Sequence, residues 1–181
     1  MVFLPDTHYC SYLYFLRHAI AAERDDSKYK DDSLRPLTDQ GRKKMCHTAQ
    51  GMQTLGLKFD VIISSPYLRA KQTAEIVAKA IKPKNKGIYF TTNLLPPASI
   101  NELLSEVHAQ YPKSRNILLV GHEPHLTEMI SSLLKSNKPL NINFKKGGLC
   151  CLSVDQPWGH SSAIFNWLLT PTQLGLISKE K

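Results

Sequence analysis

Short apolar runs alternate with amphipathic stretches along this chain. Three runs rich in β-branched or aromatic side chains predict buried strands, at residues 12–16, 59–63 and 116–120. Further short strands are predicted at residues 88–90, 149–154 and 163–168. The stretches between the runs predict helices over residues 39–55, 68–78 and 101–111 and a further helix that ends near Leu134. This alternation predicts an α/β fold with a mainly parallel central sheet that is covered on both faces.

The predicted helix over residues 39–55 carries signals at both ends. Thr38 is a good N-cap, Asp39 is favourable in the first turn, and Gly56 suits the C-terminal end. The boundaries of this helix are therefore predicted from local chemistry as well as from periodicity.

Residues 19–34 are polar and charged and have neither helical nor strand periodicity, so they predict a loop. Since this long loop leaves the end of the first strand, we expect it to form one wall of a site. We expect residues 1–11 and 177–181 to be loosely held ends of the chain.

Length and composition indicate one domain over residues 1–181. With 42% hydrophobic and 21% charged residues, the composition is that of an ordinary folded protein.

No apolar run is long enough to span a membrane, and the N-terminus lacks the basic segment of a signal peptide. The four cysteines form no Cys-x-x-Cys pair, which indicates free thiols in a reducing compartment. We therefore expect a cytoplasmic protein that does not associate with membranes.

The chain is basic, with a formal net charge of +8 and a pI of about 9.3. Lysines cluster within residues 79–86 and 135–146, and such clusters are most often solvated faces. A basic surface favours anionic partners. Because no zinc finger, basic helix or aromatic-interleaved RNA-binding motif is present, nucleic acid is an unfavoured partner. A phosphorylated substrate fits the charge equally well.

Three of the predicted strands are followed by similar side chains. Arg17 and His18 come directly after the first strand, Arg69 lies a few residues beyond the second, and His122 follows the third. Since the carboxyl ends of parallel strands meet at one edge of a sheet, we expect these four side chains to converge. Ser65, just past the second strand, either donates to a phosphate or caps the helix that follows.

The convergent set has the chemistry of a phosphate clamp. Arginine binds phosphate oxygens through two parallel hydrogen bonds, and a neutral imidazole can attack phosphorus to form a phosphohistidine. Arg17, Arg69 and a protonated His122 would stabilise the transferring group, and water would then hydrolyse the phosphoenzyme. We expect neither a metal nor another cofactor, because the arginines take the part of a magnesium ion.

With these motifs the chain resembles the histidine phosphatase superfamily, which has a phosphoglycerate mutase-like fold and an Arg-His-Gly signature after its first strand. Within the superfamily it looks like the small phosphohistidine phosphatases of the SixA-like branch. The segments that carry the resemblance are 16–19, 35–42, 64–74 and 120–124, with weaker matches at 146–147 and 167–171.

The resemblance covers nearly the whole chain. It implies a three-layer α/β/α sandwich in which His18 is the phosphorylated nucleophile and Arg17, Arg69 and His122 form the phosphate pocket. It also implies a metal-independent phosphatase that acts on phosphohistidine or on another phosphoprotein.

The chain departs from the family pattern at two places. Ala19 stands where the superfamily signature has glycine, and Glu102 is the carboxylate available near the loop that carries the general acid in larger members. Expelling an alkoxide needs a positioned acid, whereas the imidazole of phosphohistidine is readily protonated near neutral pH. The weakness of the acid position therefore favours a P–N substrate or an activated phosphoester over a sugar phosphate.

Several alternatives stay open. The chain could be a small-molecule phosphomonoesterase of the same superfamily, or a catalytically weak module that binds phosphorylated ligands. A mutase would need a carboxylate that shuttles a proton on a sugar hydroxyl, and none is evident. His125 could contact the site from one turn beyond His122, and Glu123 could line the pocket mouth or favour the N-terminus of a helix.

Overall fold

The computed structural model describes residues 11–25, 27–155 and 163–178. Its strands are β1 (Ser11–Arg17), β2 (Val61–Ser64), β3 (Tyr89–Phe90), β4 (Asn116–Gly121), β5 (Leu149–Val154) and β6 (Ile164–Leu169). Its α-helices are α1 (Asp39–Thr54), α2 (Leu68–Ile81), α3 (Ile100–Gln110), α4 (His125–Leu133) and α5 (Pro171–Ile177). Short 3-10 helices lie at Asp32–Leu34 and Thr92–Leu94.

The six strands form one sheet in the order β3-β2-β4-β1-β5-β6. The strands β3, β2, β4 and β1 are parallel, whereas β5 runs antiparallel to β1 and β6 antiparallel to β5. The prediction of a mainly parallel sheet is therefore confirmed. Its antiparallel part was not distinguished in the sequence, because β5 and β6 have the same apolar or mixed composition as the parallel strands.

The register brings several chain segments to one edge of the sheet. Arg17 at the end of β1 pairs with Gly121 at the end of β4, and Ser64 at the end of β2 pairs with Val120. On the other side of β1, the start of β5 and the end of β6 meet at the same edge, where Leu149 pairs with both Leu16 and Leu169. The carboxyl ends of β1, β2 and β4 thus share their edge with the loop that precedes β5 and the turn that follows β6.

Alternate residues of β1 enter two separate apolar cores. Leu13 and Phe15 are fully buried under α3 and α4, while Tyr14 and Leu16 face α1, α2 and α5. Each large side chain buried in this way stabilises the fold by about 1.5–3 kcal/mol. The two cores confirm the predicted three-layer sandwich, with helices on both faces of the sheet.

Helix α1 lies close to its neighbours because it has glycines at two contacts. A Cβ atom on Gly41 would lie 2.0 Å from the carbonyl oxygen of Ile20, and one on Gly51 would lie 2.0 Å from that of Leu174. The Thr38 side chain accepts a hydrogen bond from the Gly41 amide at 3.0 Å, as the capping prediction required. The first turn of α1 is thereby fixed against the loop that leaves β1.

Helix α5 was not predicted. Its N-cap Thr170 forms a reciprocal capping box with Gln173, and Pro171 occupies the first turn. These are ordinary signals for a helix start, but the helix is too short for its apolar period to stand out.

The predicted loose ends lie mostly outside the described residues, which begin at Ser11 and end at Ser178. The single-domain assignment stays a prediction. In the part of the chain that the structure describes, no helix is long and apolar enough to cross a membrane.

Candidate active site

The structure brings the predicted residues together at the carboxyl edge of the sheet. The ring centroids of His18 and His122 are 5.1 Å apart, and the His18 amide donates to the carbonyl of Gly121 at 3.0 Å. Ser65 follows β2, and Arg69 lies in the first turn of α2. Two histidines from neighbouring parallel strands therefore face each other, as expected from the sheet topology.

The hydrogen bonding of His18 defines its tautomer. Its Nδ1 atom lies 2.7 Å from the carbonyl oxygen of Ala19, and because a carbonyl can only accept, Nδ1 carries the proton. The Nε2 atom of the neutral ring then keeps its lone pair. Burial lowers the pKa of His18 to about 3. The hydrogen bond to Ala19 opposes this shift, whereas the positive charges of Arg69, Arg17 and Lys146 add to it. The imidazole is thus neutral at pH 7.

His122 is held by Ser65, whose Oγ lies 2.8 Å from its Nε2 atom. Burial, the neighbouring His18 and the charge of Arg69 lower the pKa of His122 to about 3, although Asp32 opposes the shift. The expected protonated His122 is therefore not the favoured form in this arrangement. A dianionic phosphoryl group beside the ring would raise the pKa again, since an opposite charge favours the imidazolium.

Arg69 is buried against a carboxylate that sequence analysis missed. Its Nη1 atom donates to the carbonyl oxygen of Asp32 at 2.8 Å, and its Nη2 atom donates to Asp32 Oδ2 at 2.9 Å. The other carboxylate oxygen of Asp32 accepts from Arg35 Nε at 2.7 Å. The Arg69 guanidinium also lies over the Tyr67 ring, 4.9 Å from its centroid. Asp32 thus positions the planar fork of Arg69 and links it to Arg35.

Asp32 comes from the charged loop over residues 19–34, so this loop contacts Arg69, while its role as a wall of the site stays a prediction. Partial burial raises the pKa of Asp32, but the hydrogen bond from Arg35 and the charge of Arg69 outweigh burial and leave this pKa below its usual value. Asp32 is therefore ionised at neutral pH. This contact had no signal in the sequence, because Asp32 is one of several acidic residues in a loop without helical or strand periodicity.

Arg17 presents a second guanidinium to the same region. Its Nη1 atom donates to the carbonyl of Phe144 at 2.6 Å, which fixes the side chain against the loop before β5. The Nε atoms of Arg17 and Arg69 are buried and have no hydrogen-bond partner among the described residues. Buried donors on permanently charged groups suit an anion. Since the charges of both arginines act on His18, the arrangement suits an anion beside that ring.

Thr73 joins the His18 loop to helix α2. Its hydroxyl accepts from the Ala19 amide at 3.0 Å and donates to the carbonyl oxygen of Arg69 at 2.7 Å. This fully buried threonine therefore connects the residue after His18 to the backbone of Arg69. Sequence reasoning noted Thr73 only as part of a matching segment, because its role depends on the approach of α2 to the end of β1.

Glu102 does not join this group of residues. Its carboxylate accepts from the Ser99 amide at 2.6 Å in a capping box at the start of α3. This backbone hydrogen bond lowers the pKa of the exposed Glu102, which opposes a role as proton donor. The expected acid role stays a prediction that these contacts do not support.

Glu123 and His125 lie beside the site with partners of their own. The carboxylate oxygens of Glu123 accept from the Thr127 amide at 3.2 Å and the Thr127 hydroxyl at 2.7 Å, in the first turn of α4. Burial raises the pKa of Glu123 above its usual value, and the hydrogen bonds from Thr127 and the charge of Arg17 offset this shift only in part. The Nδ1 atom of the buried His125 is 3.6 Å from Glu128. Within the described ranges, no cluster of three or more His, Cys, Asp or Glu side chains is arranged to hold a metal ion.

Fold and site together describe an α/β protein in which two histidines and two arginines gather at the carboxyl edge of the sheet. Residues 13–88 match the family model of the histidine phosphatase superfamily (branch 1). A protein of Picosynechococcus sp., itself uncharacterised, is 38% identical over 138 residues, which are 76% of this chain and 81% of the relative. The chain belongs to the histidine phosphatase superfamily.

Two further comparisons concern SixA. Phosphohistidine phosphatase SixA of Escherichia coli (strain K12) is 23% identical over 90% of this chain and 95% of the relative. A solved structure of the protein histidine phosphatase SixA complexed with tungstate superposes with a TM-score of 0.77 at 22% identity, over 90% of this chain and 99% of the other. The resemblance stated from the sequence is thus confirmed for the superfamily and for the fold, and the chain is a phosphatase of the hydrolase class.

Proposed function

We propose that this protein hydrolyses phosphohistidine, either as the free amino acid or within a phosphoprotein. In this proposal the phosphoryl group is transferred first to His18, which forms a covalent intermediate. The observation that carries the proposal is the neutral His18 ring, whose Nδ1–H donates to the Ala19 carbonyl and whose Nε2 lone pair is available near the half-buried Arg17 and the buried Arg69. Such a ring is a nucleophile at pH 7, whereas an imidazolium has no lone pair to donate.

The proposed reaction has two displacements. The Nε2 lone pair of His18 forms a bond to phosphorus while the bond to the leaving group breaks, and Arg17 and Arg69 neutralise the equatorial oxygens. The leaving group takes a proton from solvent or from the imidazolium form of His122. Water then attacks phosphorus, the P–N bond to His18 breaks, and inorganic phosphate leaves. No step needs a metal ion, since the two guanidinium groups supply the positive charge.

The preference for a P–N bond rests on the carboxylates around the pocket. Asp32 accepts hydrogen bonds from Arg69 and Arg35, and its pKa lies below its usual value, so it cannot protonate an alkoxide. Burial raises the pKa of Glu123, but both of its carboxylate oxygens are directed to Thr127. An imidazole leaving group is protonated easily near neutral pH, so it tolerates this arrangement. The name of the relative from Escherichia coli agrees with such a substrate.

The test compares wild type, His18→Ala and His108→Ala on a phosphohistidine peptide and on p-nitrophenyl phosphate, with EDTA present. His108 is an exposed histidine on α3 and serves as the matched control. We expect phosphate release by wild type and His108→Ala, and a loss of at least about a thousandfold in His18→Ala. Intact mass at neutral pH should show one added phosphoryl group on wild type and none on His18→Ala.

The other outcomes separate the alternatives. Turnover of p-nitrophenyl phosphate without turnover of the peptide would favour a small-molecule phosphomonoesterase. Binding of both substrates without release would favour a phospho-ligand binding module. Undiminished activity in His18→Ala would remove His18 from the mechanism, and loss of activity on adding EDTA would contradict a metal-independent reaction. The cytoplasmic location stays a prediction.

A further inference from the structure

A second concave region lies beside the phosphate pocket. It is a cleft of about 710 Å³ between α1, α5 and the loop that precedes β5. The cleft reaches the shared edge of the sheet, where β1 ends, β5 starts and β6 ends. Arg17 lines the cleft, and its charge also acts on the His18 ring of the site. The two regions are therefore adjacent and have Arg17 in common.

The cleft carries charge of one sign. Lys44, Lys145 and Lys146 line it together with Arg17, and no described lining residue is acidic. Lys146 is close enough to His18 for its charge to lower the pKa of that ring. Such a surface attracts anions and repels cationic segments.

The remaining lining is largely apolar. Ile20, Met45, Pro171 and Leu176 contribute to the walls between the lysines. On α1 the lining extends from Gly41 to Thr48, a rise of about 10 Å, which matches about three residues of an extended peptide. A phosphate ion would fill only a small part of this space, whereas a polypeptide with acidic and apolar side chains would complement both kinds of lining.

We propose that the cleft binds an acidic stretch of the protein substrate that flanks its phosphorylated residue. The inference rests on the proposed function, because it places the phosphorylated side chain in the pocket of His18 while the adjoining chain enters the cleft past Arg17. The lysine cluster around residues 145 and 146, interpreted in the sequence as a solvated face, is then a recognition surface. The charge complementarity identifies the partner as a polypeptide rich in Asp and Glu.

The test measures kcat/KM for three phosphohistidine peptides that differ only in flanking residues, which are glutamate, alanine or lysine. Because several exposed ion pairs each contribute modestly, we expect the kcat/KM of the glutamate peptide to exceed that of the alanine peptide by about tenfold at low salt. The difference should shrink as added salt screens the charges. Equal values for the three peptides would overturn the proposal.

Two variants locate the effect. Lys44 and Lys43 are adjacent, exposed residues of α1, but only Lys44 lines the cleft. Lys44→Glu should abolish the preference for the glutamate peptide and leave turnover of p-nitrophenyl phosphate within about twofold of wild type, because that small ester needs only the phosphate pocket. Lys43→Glu makes the same change in net charge and should keep the preference. Equal effects of the two variants would show a general field of the basic protein and would overturn the cleft assignment.

A binding measurement separates this inference from the catalytic proposal. Fluorescein-labelled, unphosphorylated glutamate and alanine peptides are titrated onto His18→Ala and onto His18→Ala/Lys44→Glu, with anisotropy as the readout. Tighter binding of the glutamate peptide, lost with Lys44→Glu, supports the cleft even if no phosphohistidine peptide is hydrolysed. Equal binding of the two peptides overturns the cleft even if hydrolysis is fast.

Discussion

At the scale of single residues, the candidate site depends on contacts that a linear sequence does not display. Arg17, His18, Arg69 and His122 were predicted because each follows a strand that ends at one edge. Asp32 and Thr73 were missed because their functions arise only when the loop and α2 fold back onto these residues. The tautomer of His18 likewise depends on the turn that directs its Nδ1 atom to the carbonyl of Ala19.

Substitution of Thr73 tests the hydrogen bonds that join the residue after His18 to Arg69. We expect Thr73→Val to destabilise the protein by about 1–3 kcal/mol and to lower kcat, because the buried Ala19 amide loses its acceptor next to His18. Thr73→Ser should restore both properties. The measurements are urea unfolding and turnover of p-nitrophenyl phosphate.

Thr48 supplies the matched control for that substitution. It is also fully buried, but its hydroxyl has no hydrogen-bond partner among the described residues. Thr48→Val should therefore leave stability unchanged or increase it, since no hydrogen bond is lost and a polar group is removed from the core. If both valine variants lost the same free energy of unfolding, the hydrogen bonds of Thr73 would not explain its effect.

At the scale of elements, strands and long helices were predictable and the shortest helix was not. Helix α1 has a cap, an acidic first turn and an apolar face, so its observed range nearly coincides with the prediction. Helix α5 has only seven residues, too few for a period to be recognised, and its place is fixed by contact with α1. The direction of β5 was not predictable, because an apolar strand suits either a parallel or an antiparallel neighbour.

The contact between α1 and α5 leads to opposite predictions for two glycines. Gly51→Ala should destabilise the fold by about 1–3 kcal/mol, because its Cβ would lie 2.0 Å from the Leu174 carbonyl oxygen, whose backbone cannot give way cheaply. Gly175→Ala, in α5, has nothing within 4 Å of its Cβ and should stabilise the helix by about 0.5–1 kcal/mol. Thermal unfolding of both variants checks the pair, and equal shifts in Tm would contradict the close contact.

At the scale of the whole molecule, the buried histidines connect the site to stability. The pKa of His18 and that of His122 fall from 6.5 to about 3 on folding, so the unfolded chain takes up protons at a higher pH than the folded one. Stability rises with pH wherever the unfolded state binds more protons. Their contribution is therefore complete above pH 6.5 and is lost as the pH falls from about 6.5 to about 3.

Carboxylates with lowered pKa values, such as Asp32 and Asp60, add to the loss of stability at the acid end. A histidine variant isolates the contribution of His18 to this loss of stability. His18→Asn should show a shallower fall in the free energy of unfolding between pH 6.5 and pH 4 than wild type, while His108→Asn should follow wild type. Parallel curves for His18→Asn and wild type would contradict the shifted pKa of His18.

The antiparallel half of the sheet has a consequence for how this protein could diversify. The proposed bond-making and bond-breaking belongs to the ends of the parallel strands, while the loop before β5 and helix α5, which follows β6, shape the neighbouring cleft. Arg17 lines the cleft and its charge acts on His18, so it connects the two regions. Under the proposed recognition, substitutions in the loop before β5 or in α5 would change which peptides are bound while the proposed reaction centre at the strand ends is retained, and a new specificity could be introduced from that side of the molecule.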